Sequence, residues 1–479
     1  MFNYKKLYIG GKLVDANNGR RREVFCPATD EVVGEVAWAD STDTEKALRA
    51  AQDAFPYWSN LPVGERVRYM FRLRELVIKN EVLLREAEMY EHGKTYEQAE
   101  EGYQSVINSL EYYAHEIQRT HGHLLVDTVG NFDHQIVYRS AGVVGAFVAW
   151  NFPLLNLAFK IGPAMAAGCP LILRPSGETP ISAYIIGELC AEAELPAGVV
   201  NILTGPISET ADLITKSSIP AVLTLIGSSE TGRQIMKNGS SSIKKYSMEL
   251  GGNAPAIVFQ DADIDLASSI ISMLKFANAG QICVTPNRIY VHESILEKFS
   301  KKVIEHAKAV VIGHGRNSGA TMGPIINRKS RDRIDAWVRE AIADGAKVLY
   351  GGKVPEGLSE KGSYYMPTVL GNVKDSMRIS YDEIFGPVVS IHAFKSYDEV
   401  IKRANATPAG LASFVFTNDI TTIQRATRDL EFGEVQVNGV KYNIDLPHIG
   451  IKQSGLGGDC SHFALDDYLV KKRITTSRQ

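Results

Sequence analysis

A carboxylate and a thiol in this chain each stand beside glycine. Glu249 opens Glu249-Leu250-Gly251-Gly252, and Cys283 closes Asn278-Ala279-Gly280-Gln281-Ile282-Cys283. A thiol plus a base is the minimum kit for covalent attack on a carbonyl carbon. Sulfur suits that task because a small fraction of a free thiol is already ionised near neutral pH. A lone cysteine is usually just a small hydrophobe, which is the reading for Cys26, Cys169 and Cys190. Cys283 differs because a Gly-Gln turn separates it from the helix expected before it. A single glutamate is usually a solvated side chain. The glycine pair after Glu249 instead allows close packing or a bend. A third group, Asn151, lies in Ala149-Trp150-Asn151-Phe152-Pro153. It reads either as a turn residue before a helix started by Pro153 or as a neutral amide donor. An NH₂ group donates to a developing negative oxygen, where a carboxylate would repel it.

These groups need a frame to bring them together. At 479 residues the chain exceeds what one core ordinarily supports, so two large domains are expected. From Gly142 onward, short continuous apolar strands alternate with helices. That pattern points to α/β architecture with parallel sheets covered on both faces. The alternation restarts after Gly252, which places a hinge near Gly251-Gly252. Glu65 to Tyr90 reads as one long amphipathic helix. Thr120–Ser140 and the tail after Phe463 fit neither domain.

Composition narrows the function classes. The net charge is −3, with 22% charged residues, and nothing suggests a nucleic-acid surface. Ala141 to Phe159 is apolar and nearly long enough to span a bilayer. Asn151, Pro153, Asn156 and two glycines favour a strand, a turn and a helix there, so no membrane partner is expected. The start of the chain carries no apolar run of signal-peptide type. Five cysteines without a CxxC suggest free thiols in a reducing compartment, hence a cytoplasmic protein. His121 and His123 lack further ligands at metal-binding spacing, so no metal site is expected.

The segments quoted above, with Glu383-Ile384-Phe385-Gly386-Pro387-Val388, make the chain resemble the aldehyde dehydrogenase superfamily nearly end to end. The resemblance implies two doubly wound α/β domains plus a small oligomerisation sheet. Residues 1–119 and 141–250 would bind the dinucleotide, 251–445 would form the catalytic domain, and 120–140 with 463–479 would build a homodimer or homotetramer. It implies Cys283 as nucleophile forming a thiohemiacetal, Glu249 as general base, and Asn151 with the Cys283 amide as oxyanion donors. For the cofactor it implies Ala149, Trp150, Arg174, Ser176, Gly177, Gly227, Ser228, Leu250, Glu383 and Phe385. GxGxxG is absent, and Gly227-Ser228-Ser229-Glu230-Thr231-Gly232 resembles the family's substitute at the pyrophosphate.

Departures from the family pattern bear on the cofactor. Arg174 stands where lysine is usual, and Gly177 where an acid is frequent. An acid there would hydrogen-bond a ribose 2′-hydroxyl and repel a 2′-phosphate. Glycine removes that repulsion and arginine offers a planar cationic fork, so the cofactor is NADP or NAD with acceptance of NADP favoured, although Glu178 could swing in. Ile226 and Asn253 also depart from the pattern, close to the cofactor or the base. The tail from Gly433 to Tyr468 resembles the lactaldehyde, glycolaldehyde and glyceraldehyde branch, so a small hydroxyaldehyde is the first substrate expectation. Succinate semialdehyde is the alternative, and it needs a cation for which Lys441, Lys452 and Arg288 are candidates. An enzyme passing its thioester to coenzyme A, or a catalytically silent structural relative, fits less well with Cys283, Glu249 and Asn151 all present.

Overall fold

The computed structural model describes residues 2–316, 318–358, 360 and 362–478. Met1 and Gln479, the outermost residues of the expected segments, lie outside the described residues.

Two sheets carry the architecture. The first has eight strands in the order Gly455–Leu456, Lys245–Glu249, Pro220–Ile226, Val143–Phe147, Leu171–Arg174, Val200–Ile202, Leu7–Ile9 and Lys12–Val14. The five from Lys245–Glu249 to Val200–Ile202 run parallel. The remaining three are added antiparallel at the edges. Every residue of Val143–Phe147 is buried, as expected for a strand covered on both faces. The second sheet has seven strands: Lys347–Tyr350, Thr368–Gly371, Val388–Phe394, Pro286–His292, Ala254–Val258, Ala412–Phe416 and Glu434–Val437. All pair in parallel except Lys347–Tyr350 at its edge. Each sheet has its own apolar core.

Two smaller sheets complete the fold. Leu469–Ser477, Phe132–Ser140 and His123–Leu125 form an antiparallel sheet from the two segments that fitted neither domain. Phe2–Lys5, Val32–Ala37 and Arg21–Phe25 form the other.

One helix expectation needs correcting. The stretch from Glu65 to Tyr90 divides into helices Val63–Lys79 and Glu81–His92, with Asn80 between them at φ −105°, ψ 24°. The Asn80 side chain donates to the Leu76 carbonyl at 2.8 Å, a local bond of the kind that competes with helix continuation. The apolar segment after Ala141 divides into the strand Val143–Phe147 and a helix, Pro153–Ala167, with proline in its first turn. No helix of the described residues is long and apolar enough to cross a membrane.

Strand direction explains how distant residues meet. Val143–Phe147, Leu171–Arg174, Pro220–Ile226 and Lys245–Glu249 share one direction, so the residues that follow them emerge along one edge. In α/β sheets the carboxyl ends of the strands are where ligands bind.

Candidate active site

A cleft of about 940 Å³ lies at that edge, and Cys283 is among the residues that line it. Cys283 is partly open to it, whereas Cys26, Cys169, Cys190 and Cys460 are buried. A left-handed turn presents it. Asn278 and Ala279 have φ of 49° and 53°, and Gly280 follows at 72°. Left-handed backbone is unfavourable for the first two. Side chains hold them there: Asn278 Nδ2 donates to the Asn151 carbonyl at 2.9 Å, and Gln281 Nε2 donates to the Asn278 carbonyl at 2.9 Å. Gln281 Oε1 in turn accepts from the Ile326 amide at 2.9 Å. On the opposite side, a Cβ on Gly252 would run into the Cys283 carbonyl oxygen, so the strand crossing here needs glycine.

Asn151 is 5% exposed and lines the cleft. Its Oδ1 accepts from Asn156 Nδ2 at 3.1 Å, which fixes the amide's orientation. Its Nδ2 donates to the Gln281 carbonyl at 3.2 Å, leaving the second N–H for another acceptor. Glu249 ends its strand with 4% exposure and also lines the cleft.

The sequence reading missed two residues of this site. His448 Nδ1 lies 2.6 Å from Glu434 Oε1, and its Nε2 lies 3.5 Å from Glu249 Oε1. One side-chain atom each of Glu249, Cys283 and His448 falls within 4.8 Å of the others. Burial disfavours a charged imidazole, but contacts with Cys283, Glu249 and Glu434 hold His448 well above its ordinary range. Burial and the neighbouring Glu249 charge push the Cys283 thiol up, while His448 acts in the opposite direction. The His448 backbone exchanges two hydrogen bonds with Asp459, at 2.8 and 2.9 Å. Asp459 receives Lys160 Nζ at 2.7 and 2.8 Å, both side chains being buried. Removing one partner of such a pair typically costs about 3–5 kcal/mol, so this anchor is stiff.

Further residues of the cleft suit an elongated ligand. Ser228 Oγ accepts from the Thr231 amide at 3.2 Å and caps helix Ser229–Gly239, whose N-terminus borders the cleft. Trp150 meets Phe385 edge-on at 5.5 Å. A Cβ on Gly251 would lie 2.9 Å from Glu383 Oε2, so its absence makes room for that carboxylate. Burial pushes Glu383 up to about 8, with the Gly252 amide acting in the opposite direction.

Ala149, Arg174, Ser176 and Gly227 also line the cleft; Gly177 and Leu250 do not. Gly177 faces Trp38 and Arg22 instead, and Leu250 packs on Gly232. Arg174 is partly committed, donating to Thr210 Oγ1 at 2.9 Å and to the Gly205 carbonyl at 3.0 Å. Burial lowers it to about 10. Of the expected substrate cations, only Lys441 lines the cleft. Arg288 is buried against the carbonyls of Asn253 and Ala404, and Lys452 pairs with Glu431. Ile226 lines the cleft, whereas Asn253 braces Ser380 and Asn287.

Comparison with known proteins gives a consistent result. The profile of the Aldehyde dehydrogenase family matches residues 13–474. Mitochondrial succinate-semialdehyde dehydrogenase of Oryza sativa is 37% identical over 97% of this chain and 88% of its own length. The D-glyceraldehyde dehydrogenase (NADP(+)) of Thermoplasma acidophilum is 36% identical over 98% and 95%. A crystal structure of an E. coli NADP-dependent enzyme superposes with a TM-score of 0.96 at 35% identity, covering 99% of this chain and 98% of the other.

Proposed function

We propose a substrate class and a division of labour from one premise: the chain belongs to the aldehyde dehydrogenase family and is an NAD(P)-dependent oxidoreductase. The reaction is oxidation of a small hydroxyaldehyde to its acid. The observation that carries this reading is the partly open Cys283 sulfur in the cleft, grouped with Glu249 and near the Asn151 amide.

Cys283 adds to the aldehyde carbon and forms a thiohemiacetal. Asn151 Nδ2 and the Cys283 amide hold the oxygen as it becomes negative. Glu249 then activates a water that cleaves the resulting thioester. Transfer of that thioester to coenzyme A has no need of a base at Glu249. Asn151→Ala is expected to lower kcat by about 10²–10³-fold with little change in KM, the usual cost of one oxyanion donor. Steady-state kinetics check this, and an unchanged kcat would exclude Asn151 as a donor.

The residues present fit a nicotinamide dinucleotide. Ser228 and the helix it caps would hold the pyrophosphate. Trp150, Phe385 and Glu383 would hold the nicotinamide end, with Arg174 and Ser176 at the adenosine ribose. When bound, the dinucleotide supplies the hydride acceptor that takes the thiohemiacetal to the thioester. NADP acceptance is favoured because Arg174 lines the cleft where the adenosine ribose is expected and the Glu178 carboxylate is drawn towards Arg22, 3.9 Å away.

Charge at the reacting end supports a neutral substrate. Glu249 and Glu434 flank His448 there, an unfavourable setting for an aldehyde that carries its own carboxylate. Lys441 at the cleft is the observation favouring a semialdehyde instead. A panel run with NAD and NADP tests both points. Glycolaldehyde, lactaldehyde and glyceraldehyde should exceed succinate semialdehyde in kcat/KM by about tenfold or more, a charge-repulsion effect of roughly 1.4 kcal/mol. The reverse order would overturn the substrate assignment.

The division of the two large sheets between Glu249 and Ala254 supports domains 1–119 with 141–250 and 251–445, hinged at Gly251-Gly252. Segments 120–140 and 463–479 would mediate a dimer or tetramer, consistent with the exposed Leu124, Val126 and Val129. Five unpaired cysteines fit a cytoplasmic setting.

A further inference from the structure

His448 is placed to act on the sulfur itself. Its ring is held from one side by Glu434, at 2.6 Å from Nδ1, and faces Glu249 with Nε2 at 3.5 Å, while Cys283 Sγ lies within 4.8 Å of a ring nitrogen. Strand Glu434–Val437 supplies the holding carboxylate, and the pairing with Asp459 fixes the backbone behind the ring. Tyr442 closes the outer side, its ring edge-on at 6.0 Å. The remaining ionisable neighbours are the buried Cys460 and Asp459, and Lys160 already balances Asp459.

The charge balance is informative. Glu249 and Glu434 place two carboxylates around one ring, with Glu249 Oε1 and Glu434 Oε2 lacking hydrogen-bond partners. Ionising Cys283 would add a third negative charge in a poorly solvated place, which is unfavourable without a cation in contact.

We propose that His448, kept protonated by Glu434, is the cation that stabilises the Cys283 thiolate. In the attacking step the Cys283 S–H bond breaks and its proton passes to the Glu249 carboxylate, which releases it to solvent before the thioester is hydrolysed. The electron pair left on sulfur forms the new C–S bond, and the imidazolium keeps both of its protons throughout. Glu434 is thus a positioning residue, acting on the sulfur only through His448. This extends the proposed reaction, yet its test needs neither aldehyde nor cofactor.

The test is the pH profile of Cys283 alkylation by iodoacetamide in the full chain, read by mass spectrometry of the Cys283 peptide. His448→Gln should move the midpoint up by about one pH unit or more, slowing alkylation near neutral pH by roughly tenfold. Glu434→Gln should move it the same way by less. Lost packing alone would not shift a titration midpoint upward in both variants while their melting temperatures stay near that of the parent. If His448→Gln does not fold, Glu434→Gln carries the test. Midpoints equal to or below the parent's in the folded variants would overturn the proposal. A shifted midpoint in a protein that oxidises no aldehyde would leave this inference standing and remove the proposed reaction.

Discussion

Cys283→Ala is expected to abolish aldehyde oxidation, lowering turnover by at least about 10⁴-fold, while the chain stays folded. The loss is large because no other thiol can substitute: Cys26, Cys169 and Cys190 are buried and do not line the cleft, and Cys460, which lines it, is buried. The fold should persist because the turn presenting Cys283 is held by Asn278 and Gln281 rather than by the sulfur. NAD(P)H absorbance and a melting curve check the two halves of this expectation. Retained turnover in a folded variant would refute the nucleophile assignment.

Glu249→Gln should separate the two chemical steps. Glutamine keeps the shape of a side chain that is only 4% exposed but cannot take a proton from water. Thioester hydrolysis should slow by about 10²–10⁴-fold, the usual range for a general base. The first step should persist, with the thiol proton passing to solvent, because the Glu249 charge is one of the causes holding the thiol protonated. The expected record is therefore a burst of NAD(P)H of about one equivalent per site, followed by a stall. Mass spectrometry should then find the acyl group on Cys283. Steady-state turnover within tenfold of the parent, without a burst, would mean that some other group activates the water.

What could be read from sequence was what short segments determine. Asn151 and Ser228 each follow a strand whose apolar run is evident, while Glu249 ends the mixed strand Lys245–Glu249 and was marked by the glycine pair after it; parallel alignment of those strands brings them to one edge. Cys283 announced itself by its glycine-bearing turn. His448 and Glu434 gave no comparable signal. Glu434 begins a four-residue strand of half-buried residues, too short and too mixed to show a period. His448 follows Pro447 in an irregular stretch whose place is set by its pairing with Asp459. Their meeting is a tertiary event, visible only once Lys160 is known to hold Asp459. The break at Asn80 was hidden for a different reason, since the amphipathic pattern continues on both sides of a side chain that caps locally. Gly177 carried a charge argument in sequence, but a single residue could not reveal that it faces Trp38 rather than the cleft.

The Lys160–Asp459 pair has a mechanical meaning beyond its own energy. Helix Pro153–Ala167 carries Lys160 and starts two residues after Asn151, while Asp459 grips the stretch bearing His448. Carboxamide and imidazole therefore hang from a common beam, although nearly three hundred positions of chain separate them. The pair thus couples the helix that follows the oxyanion amide to the stretch that carries the ring, and a change at either end reaches both.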